Sequence, residues 1–342
     1  MATIEHESAS VHAEARIQKV LESKETELNL SELDIETLPE SLSKASGLKW
    51  LNLSGNNLAS LPDWLGTMSG LQTINLLGNQ LTMLPDSFAG LVNLQWLSLS
   101  NNELAALPKW LGSLASLQTL NLSYNRLSDL PESFATLAQL QTLYLVGNSL
   151  AKLPDSFGNL SSLQSANLSY NHLAGLPKSF GALAGLKTLT LSHNLLTALP
   201  ESINGLTGLK TLWIDGNQLA TLPDSIGGLT SLETLWLEDN RLTSLPASMA
   251  NLAHLQMLNL SENRLKVLPE WIGGLTALQT LNLAKNQLGT LPPQLQDLKL
   301  RHLYLHENQG LGLTDEIVHA HADVPSILDY FFRLFPSGSK HR

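Results

Sequence analysis

"TLWIDGNQLATLPDSIGGLTSLETLWLEDNRL", residues 211–242, holds two passes of one pattern. Leu212 and Ile214 are followed by Asn217, Leu219 and then Leu222-Pro223, and the second pass repeats the series from Leu235 and Leu237 to Asn240 and Leu242. Aligned on the leucine that opens each pass, the pattern extends in both directions. The starts fall at Leu48, Leu71, Leu94, Leu117, Leu140, Leu163, Leu186, Leu209, Leu232, Leu255 and Leu278, each 23 residues after the last. The unit reads L-x-x-L-x-L-x-x-N-x-L-x-x-L-P, with two more apolar positions beyond the proline. A fixed period of this length means that one small unit buries its apolar face only by stacking on its neighbours.

Each recurrent position has a physical task. The x-L-x-L-x stretch has period 2 and predicts a short strand whose leucines point inward, with the residues between them on the opposite face. Identical strands then stack in parallel, one per repeat. The asparagine falls where the chain turns inside a packed interior, so its amide predicts a ladder linking successive turns. Leu-Pro predicts the start of a short helical or 3-10 turn, with proline at its first position and Asp or Glu just inside. A degenerate unit occupies 25–47, where Glu25 and Leu33 replace the expected Leu and Asn, and a last unit begins at Leu300.

The open ends of such a stack need covering. Ala13, Ile17, Val20 and Leu21 recur at helical spacing and predict an amphipathic capping helix from about Ser10 to Ser23. At the other end Thr314 and Ser326 are N-cap candidates, and Ile327, Leu328, Phe331, Phe332, Leu334 and Phe335 predict an apolar covering helix that could instead engage a partner. The expected organisation is therefore a tail and cap over 1–24, a repeat body over 25–313 and a helical cap and tail over 314–342.

Composition narrows the function. The 342 residues contain no cysteine and carry a net charge of −10, much of it before residue 48. A phosphate-backbone binder is normally basic, so nucleic acid is disfavoured as a partner. No apolar run approaches the roughly 18 residues of a membrane span. The polar, acidic "MATIEHESAS" does not read as a secretory leader, which with the lack of cysteine favours a cytoplasmic setting.

The repeat resembles the leucine-rich repeats of plant intracellular Ras-group-related proteins, of Ras scaffolds and of bacterial proteins, including those attached to Roco-family GTPases. "EARIQKVLESKETELNLSELDIETLPESL" and "ADVPSILDYFFRLF" resemble the segments that open and close a Roco repeat domain. This resemblance implies an α/β fold: a right-handed leucine-rich repeat solenoid, or horseshoe, with a parallel concave sheet, short helical or 3-10 convex turns and helical end caps. It implies a non-enzymatic protein-binding module of the kind that serves as a signalling scaffold, with two alternatives: the repeat portion of a Roco-type GTPase, or a bacterial effector acting in host cells. "GLTGLKT", residues 205–211, lacks P-loop spacing, and no nucleotide chemistry carries over.

Candidate site residues sit at the outward positions. Position 5 is mostly Asn but becomes Tyr144, Trp213 and Trp236, and position 3 is mostly Thr but becomes Trp50 and Trp96. Trp213 and Trp236, in adjacent repeats, are expected to stack about 4.8 Å apart. Asp215, Glu238, Asp239 and Glu262 are expected along one side of them. Trp50, Trp96, Tyr124, Tyr144 and Tyr170 form a second aromatic group. Exposed aromatics with a charged rim suggest an interface for a protein partner with basic and apolar surface; the competing reading is cross-strand stiffening. Trp64, Trp110 and Trp271 follow the Leu-Pro and read as local packing. His302 and His306 lie roughly 13 Å apart along a strand, too far to share a metal ion. Ser192, His193 and Asp215 are expected close together without the oxyanion site a hydrolase needs. No metal, cofactor or catalytic residue is assigned.

Overall fold

The computed structural model describes residues 2–313 and 323–335. The chain divides into two compact units, Met1–His172 and Leu173–Arg342, both built from the same repeat. The first holds helix α1 (Ala2–Ser23) and strands β1 (Glu27–Asn29), β2 (Trp50–Asn52), β3 (Thr73–Asn75), β4 (Trp96–Ser98), β5 (Thr119–Asn121), β6 (Thr142–Tyr144) and β7 (Ser165–Asn167). The second holds β8 (Thr188–Thr190), β9 (Thr211–Trp213), β10 (Thr234–Trp236), β11 (Met257–Asn259), β12 (Thr280–Asn282), β13 (His302–Tyr304) and helix α2 (Val324–Leu334).

Within each unit successive strands pair in parallel without stagger. Leu235 lies opposite Leu212 and Leu258, and Leu51 opposite Leu28 and Ile74. Because the side-chain period is 2, this register puts every central leucine inside and every flanking residue outside. The repeat leucines are buried, and the turns add further apolar side chains: Phe88, Phe134 and Phe157 in the first unit, Phe180, Ile203, Ile226, Met249 and Ile272 in the second, all fully buried.

The segment after Leu-Pro is a 3-10 turn, such as Asp224–Gly228, but proline precedes the turn instead of opening it. Pro223 has φ −68° and ψ 152°, an extended conformation, and its carbonyl accepts the Ile226 N–H at 3.1 Å. The proline φ is compatible with either geometry, so sequence could not choose.

The asparagine ladder is as expected. Asn240 Nδ2 donates to the carbonyls of Leu237, at 3.2 Å in its own repeat, and Ile214, at 3.0 Å in the preceding one; its Oδ1 accepts the Leu219 N–H at 3.0 Å. Asn217, Asn263 and Asn286 do the same in the second unit, and Asn79, Asn102, Asn125, Asn148 and Asn171 in the first. In the degenerate first repeat Leu33 cannot supply an amide, and Asn56 serves its backbone instead, accepting from the N–H groups of Leu33 and Ile35.

Helix α1 begins earlier than expected, at Ala2, since no Gly or Pro interrupts the segment before Ser10. It buries Ala13, Ile17 and Val20, and Arg16 donates to the Asn29 carbonyl at the end of β1. Glu14 anchors it: its carboxylate accepts from Ser41 Oγ at 2.6 Å and Gln18 Nε2 at 2.7 Å. The Ser41 and Gln18 hydrogen bonds hold the Glu14 carboxyl below its usual range. In α2, Val324, Ile327, Leu328 and Phe331 form the buried stripe, while Phe332 and Phe335 are half-buried and Leu334 is exposed. Its N-cap is Asp323, whose carboxylate accepts the Ser326 N–H at 2.8 Å; Ser326 lies three residues inside. Pro325 explains the displacement, because its fixed φ suits the first turn of a helix. Thr314, the other expected cap, lies outside the described residues, as does the end after Phe335.

Replacing Asn240 with Ala strands two buried carbonyls and one N–H, and is expected to cost about 2–4 kcal/mol in chemical denaturation. Asn240→Asp, which keeps the acceptor but loses the donors, should be little better. A second expectation concerns pH. A depressed carboxyl contributes stability above its unfolded pKa, about 4.3, and loses it as pH falls through the lower folded value. The acid-side decline of the wild-type thermal midpoint should therefore be slightly shallower in Glu14→Gln, whose midpoint at neutral pH should be lower.

Candidate functional site

The outward row at position 5 has a structural default. Asn52, Asn75, Asn121 and Asn167 in the first unit each turn Oδ1 back to accept the N–H two residues on, at 3.0–3.1 Å. Asn259 and Asn282 do so in the second, both at 3.1 Å. This is the local hydrogen bond that favours Asn at bends. Trp213 and Trp236 occupy the same position and cannot make it. The scaffold thus gives up a recurrent hydrogen bond at two adjacent repeats to display indoles, which weakens the stiffening interpretation.

The two tryptophans are in register, their ring centroids 5.5 Å apart and their planes tilted by 31°. Trp213 is 41% exposed. Trp236 is half-buried, and its Nε1 donates to Met257 Sδ at 3.3 Å. Met257 is itself exposed at the edge of the patch. Sequence reading missed it; the signal was a Met where position 3 is usually Thr, diagonal to a Trp. The apolar platform is therefore Trp213, Trp236 and Met257.

Carboxylates border the platform unequally. Asp215 Oδ1 accepts from Ser192 Oγ at 2.6 Å, and its Oδ2 lies 3.8 Å from His193 Nε2. Ser192, His193 and Asp215 do meet, but the carboxylate stands between hydroxyl and imidazole. The serine proton is donated to Asp215, which is not the relay that activates a serine nucleophile. Glu238 accepts from Asn259 Nδ2 at 2.7 Å. Asp239 is exposed. Glu262 is paired with Lys285 at 2.6 Å, and this contact pushes the Lys285 ammonium up from its usual range. Glu262 therefore offers the least uncompensated charge of the four. On the opposite side Lys210 and Glu233 form a second ion pair at 2.8 Å.

Position 8 has a backbone constraint of its own. Its backbone is left-handed in every repeat, and only Gly55, Gly78, Gly147 and Gly216 take that conformation freely. Tyr124, Tyr170, Asp239 and Glu262 hold φ between 49° and 56°, at a cost of about 1 kcal/mol each. Asn101, His193, Lys285 and Glu307 share this conformation, so the fold imposes it at position 8 whatever the residue. Gly147 also makes room: a Cβ there would lie 2.7 Å from the Tyr124 ring, so that ring rests over the next repeat.

The second aromatic group is dispersed. Trp50 and Trp96 are half-buried on β2 and β4, with Thr73 of β3 between them. Tyr144 rises from position 5 of β6, while Tyr124 and Tyr170 stand at the position-8 edge, both well exposed. Trp64, Trp110 and Trp271 are half-buried near the 3-10 turns, and Trp110 contacts Phe88 at 6.3 Å. His302 stacks beside Tyr304, centroids 6.4 Å apart.

A stack of in-register strands with variable outward positions defines a class of repeat protein that presents an extended surface. Family models for a leucine-rich repeat region match residues 88–170 and 166–248, one for a leucine rich repeat matches 46–104, and one for paired leucine rich repeats matches 253–299. A leucine-rich repeat protein of Leptospira interrogans is 30% identical, with 93% of this chain and 96% of that chain covered and a TM-score of 0.66. The chain belongs to the leucine-rich repeat family. It is also similar to YopM, a leucine-rich effector protein of Yersinia pestis (28% identity, 87% and 82% covered, TM-score 0.67). A third likeness is to the repeat ectodomain of a plant membrane receptor kinase of Arabidopsis thaliana, solved in complex with Casparian strip integrity factor 2 (31% identity, 79% and 37% covered, TM-score 0.62). No curated protein matches the chain. The leucine-rich repeat fold typically serves protein–protein interaction. No helix among the described residues is long and apolar enough to cross a membrane.

If the indoles are held for display, removing them should not weaken the fold. Trp213→Asn with Trp236→Asn restores the position-5 hydrogen bond, and its thermal midpoint should match or exceed that of the wild type. A fall of several degrees would instead assign the pair to stiffening the sheet.

Proposed function

We propose that this protein is a non-enzymatic interaction module whose Trp213–Trp236 face docks a protein segment bearing basic and apolar side chains. The observation that carries this is the replacement of the structural asparagine by tryptophan in two adjacent, in-register repeats, next to carboxylates. Trp213, Trp236 and Met257 would take the apolar part. Asp215, Glu238 and Asp239 would attract Lys or Arg, chiefly raising the association rate; Arg could also stack on an indole face. Glu262 would join only after exchanging its Lys285 partner. The repeat body over 25–313 would act as a scaffold between end covers at 1–24 and 314–342. A cytoplasmic setting fits the lack of cysteine in the sequence. The resemblance of both flanks to Roco segments supports a regulatory repeat portion as one variant of this role. The likeness to the Yersinia pestis effector supports a second reading, an exported bacterial effector, for which translocation into host cells is the test.

The main test uses synthetic peptides that pair Lys or Arg with Leu or Phe, and charge-reversed counterparts, followed by tryptophan fluorescence. Basic peptides should bind, with affinity falling as salt rises. Trp213→Ala with Trp236→Ala should cost about tenfold or more while the fold stays intact. Asp215→Asn with Glu238→Gln should mainly slow association. Equal binding of acidic peptides, or binding indifferent to the tryptophans, refutes the assignment.

A further inference from the structure

The sheet face of the first unit differs chemically from that of the second. Over the six repeats that begin at Leu48 and end with Tyr170, none of the outward positions 3, 5, 7 and 8 carries a charged residue. They are Asn, Ser, Thr and Gly, interrupted by Trp50, Trp96, Tyr124, Tyr144 and Tyr170 and by Leu77 and Val146. Position 2 beside them is glutamine in five consecutive repeats, from Gln72 to Gln164. Charges stand only at its borders: Glu27 on β1 opposite Trp50, Glu32 beside Gly55, Lys49 next to Trp50 and, at the other rim, the Arg126–Glu103 ion pair at 3.1 Å. A surface of this extent without charge gives no electrostatic steering and no handle for a basic or acidic partner.

The polar groups are also oriented. Asn52, Asn75, Asn121 and Asn167 commit Oδ1 to the backbone, which leaves each Nδ2 directed away from that bond as a donor. Adjacent repeats place such groups about 4.8 Å apart. Ser169 adds a hydroxyl, in a residue 4% exposed, that has no hydrogen-bond partner among the described residues, on the same face between Asn167 and Tyr170. A buried hydroxyl left unpaired costs free energy unless a ligand or water completes it. Tyr124 and Tyr170 are 59% and 57% exposed on strained left-handed backbone, with Tyr144 nearby at 37%.

Neutral amide donors, hydroxyls and exposed ring faces suit one ligand chemistry. An uncharged sugar chain presents hydroxyls at its edges, for amides and serines, and flat C–H faces, for aromatic rings whose faces are electron-rich. We propose that the face formed by β2 to β7 binds a neutral oligosaccharide, with Trp96, Tyr124, Tyr144 and Tyr170 as stacking platforms and the Asn and Gln rows as hydroxyl partners. This site is separate in residues and chemistry from the acidic tryptophan patch and does not depend on it.

The test is affinity electrophoresis and calorimetry of the full chain against neutral polysaccharides (glucans, xylan, mannan, galactan) and their hexasaccharides. At least one should bind, with affinity unchanged by added salt. Trp96→Ala with Tyr144→Ala, and separately Tyr124→Ala with Tyr170→Ala, should each weaken it about tenfold or more, while circular dichroism stays unchanged. Trp213→Ala with Trp236→Ala should leave it intact, which separates this site from the peptide-docking one. The proposal is overturned if no neutral glycan binds, if binding is salt-sensitive, or if it survives both pairs of substitutions. It is also overturned if the two substituted pairs prove necessary only for a polypeptide ligand.

Discussion

The structure depends on an amide placed where a chain must bend inside a dry interior. After each strand the backbone turns with its carbonyls and N–H groups cut off from water. One asparagine per repeat satisfies a carbonyl of its own turn, a carbonyl of the turn before and an N–H of the loop before. No other neutral side chain of that length offers two donors and an acceptor in one plane except its longer homologue. The bond to the preceding repeat matters most, since it ties rotation and rise of one repeat to those of its neighbour. Leucine burial supplies the driving force, about 25 cal/mol per Å² of apolar surface, but leucines alone tolerate slippage; the amide does not.

With the interior so constrained, the outside of each strand is left to vary. A position that faces water can change residue without disturbing the stack, so departures from the default composition carry information. In the second unit the departures are two adjacent tryptophans, a methionine and a set of carboxylates. In the first they are tyrosines and tryptophans on an uncharged field of amides and hydroxyls. One scaffold can therefore present surfaces of different chemistry.

Backbone conformation adds a second kind of evidence. Position 8 is left-handed throughout, and four repeats place glycine there. Where tyrosine, aspartate or glutamate stands instead, the fold bears strain that glycine would relieve. The glycines serve their neighbours too, as Gly216 does for His193, whose imidazole would meet a Cβ at 2.5 Å. At Gly147 and Gly216 the missing Cβ thus leaves room for the side chain of the repeat before.

The amino-acid sequence by itself determined the period, the strand faces, the asparagine ladder and the need to cover both ends, because each follows from spacing and from the hydrogen-bonding capacity of single residues. It also placed Trp213 beside Trp236, since a fixed repeat length converts sequence offset into strand register. Other features needed the tertiary structure, because they depend on atoms meeting across repeats. Lys285 neutralises Glu262, Ser192 and His193 bracket Asp215, and Met257 completes the platform. The extended proline before most of the turns and the left-handed eighth position likewise depend on dihedral angles, to which residue identity alone is permissive. The stack could be derived from periodicity, but the charge and exposure at its surface are set by neighbours 20 or more residues away, and only the folded chain brings those together.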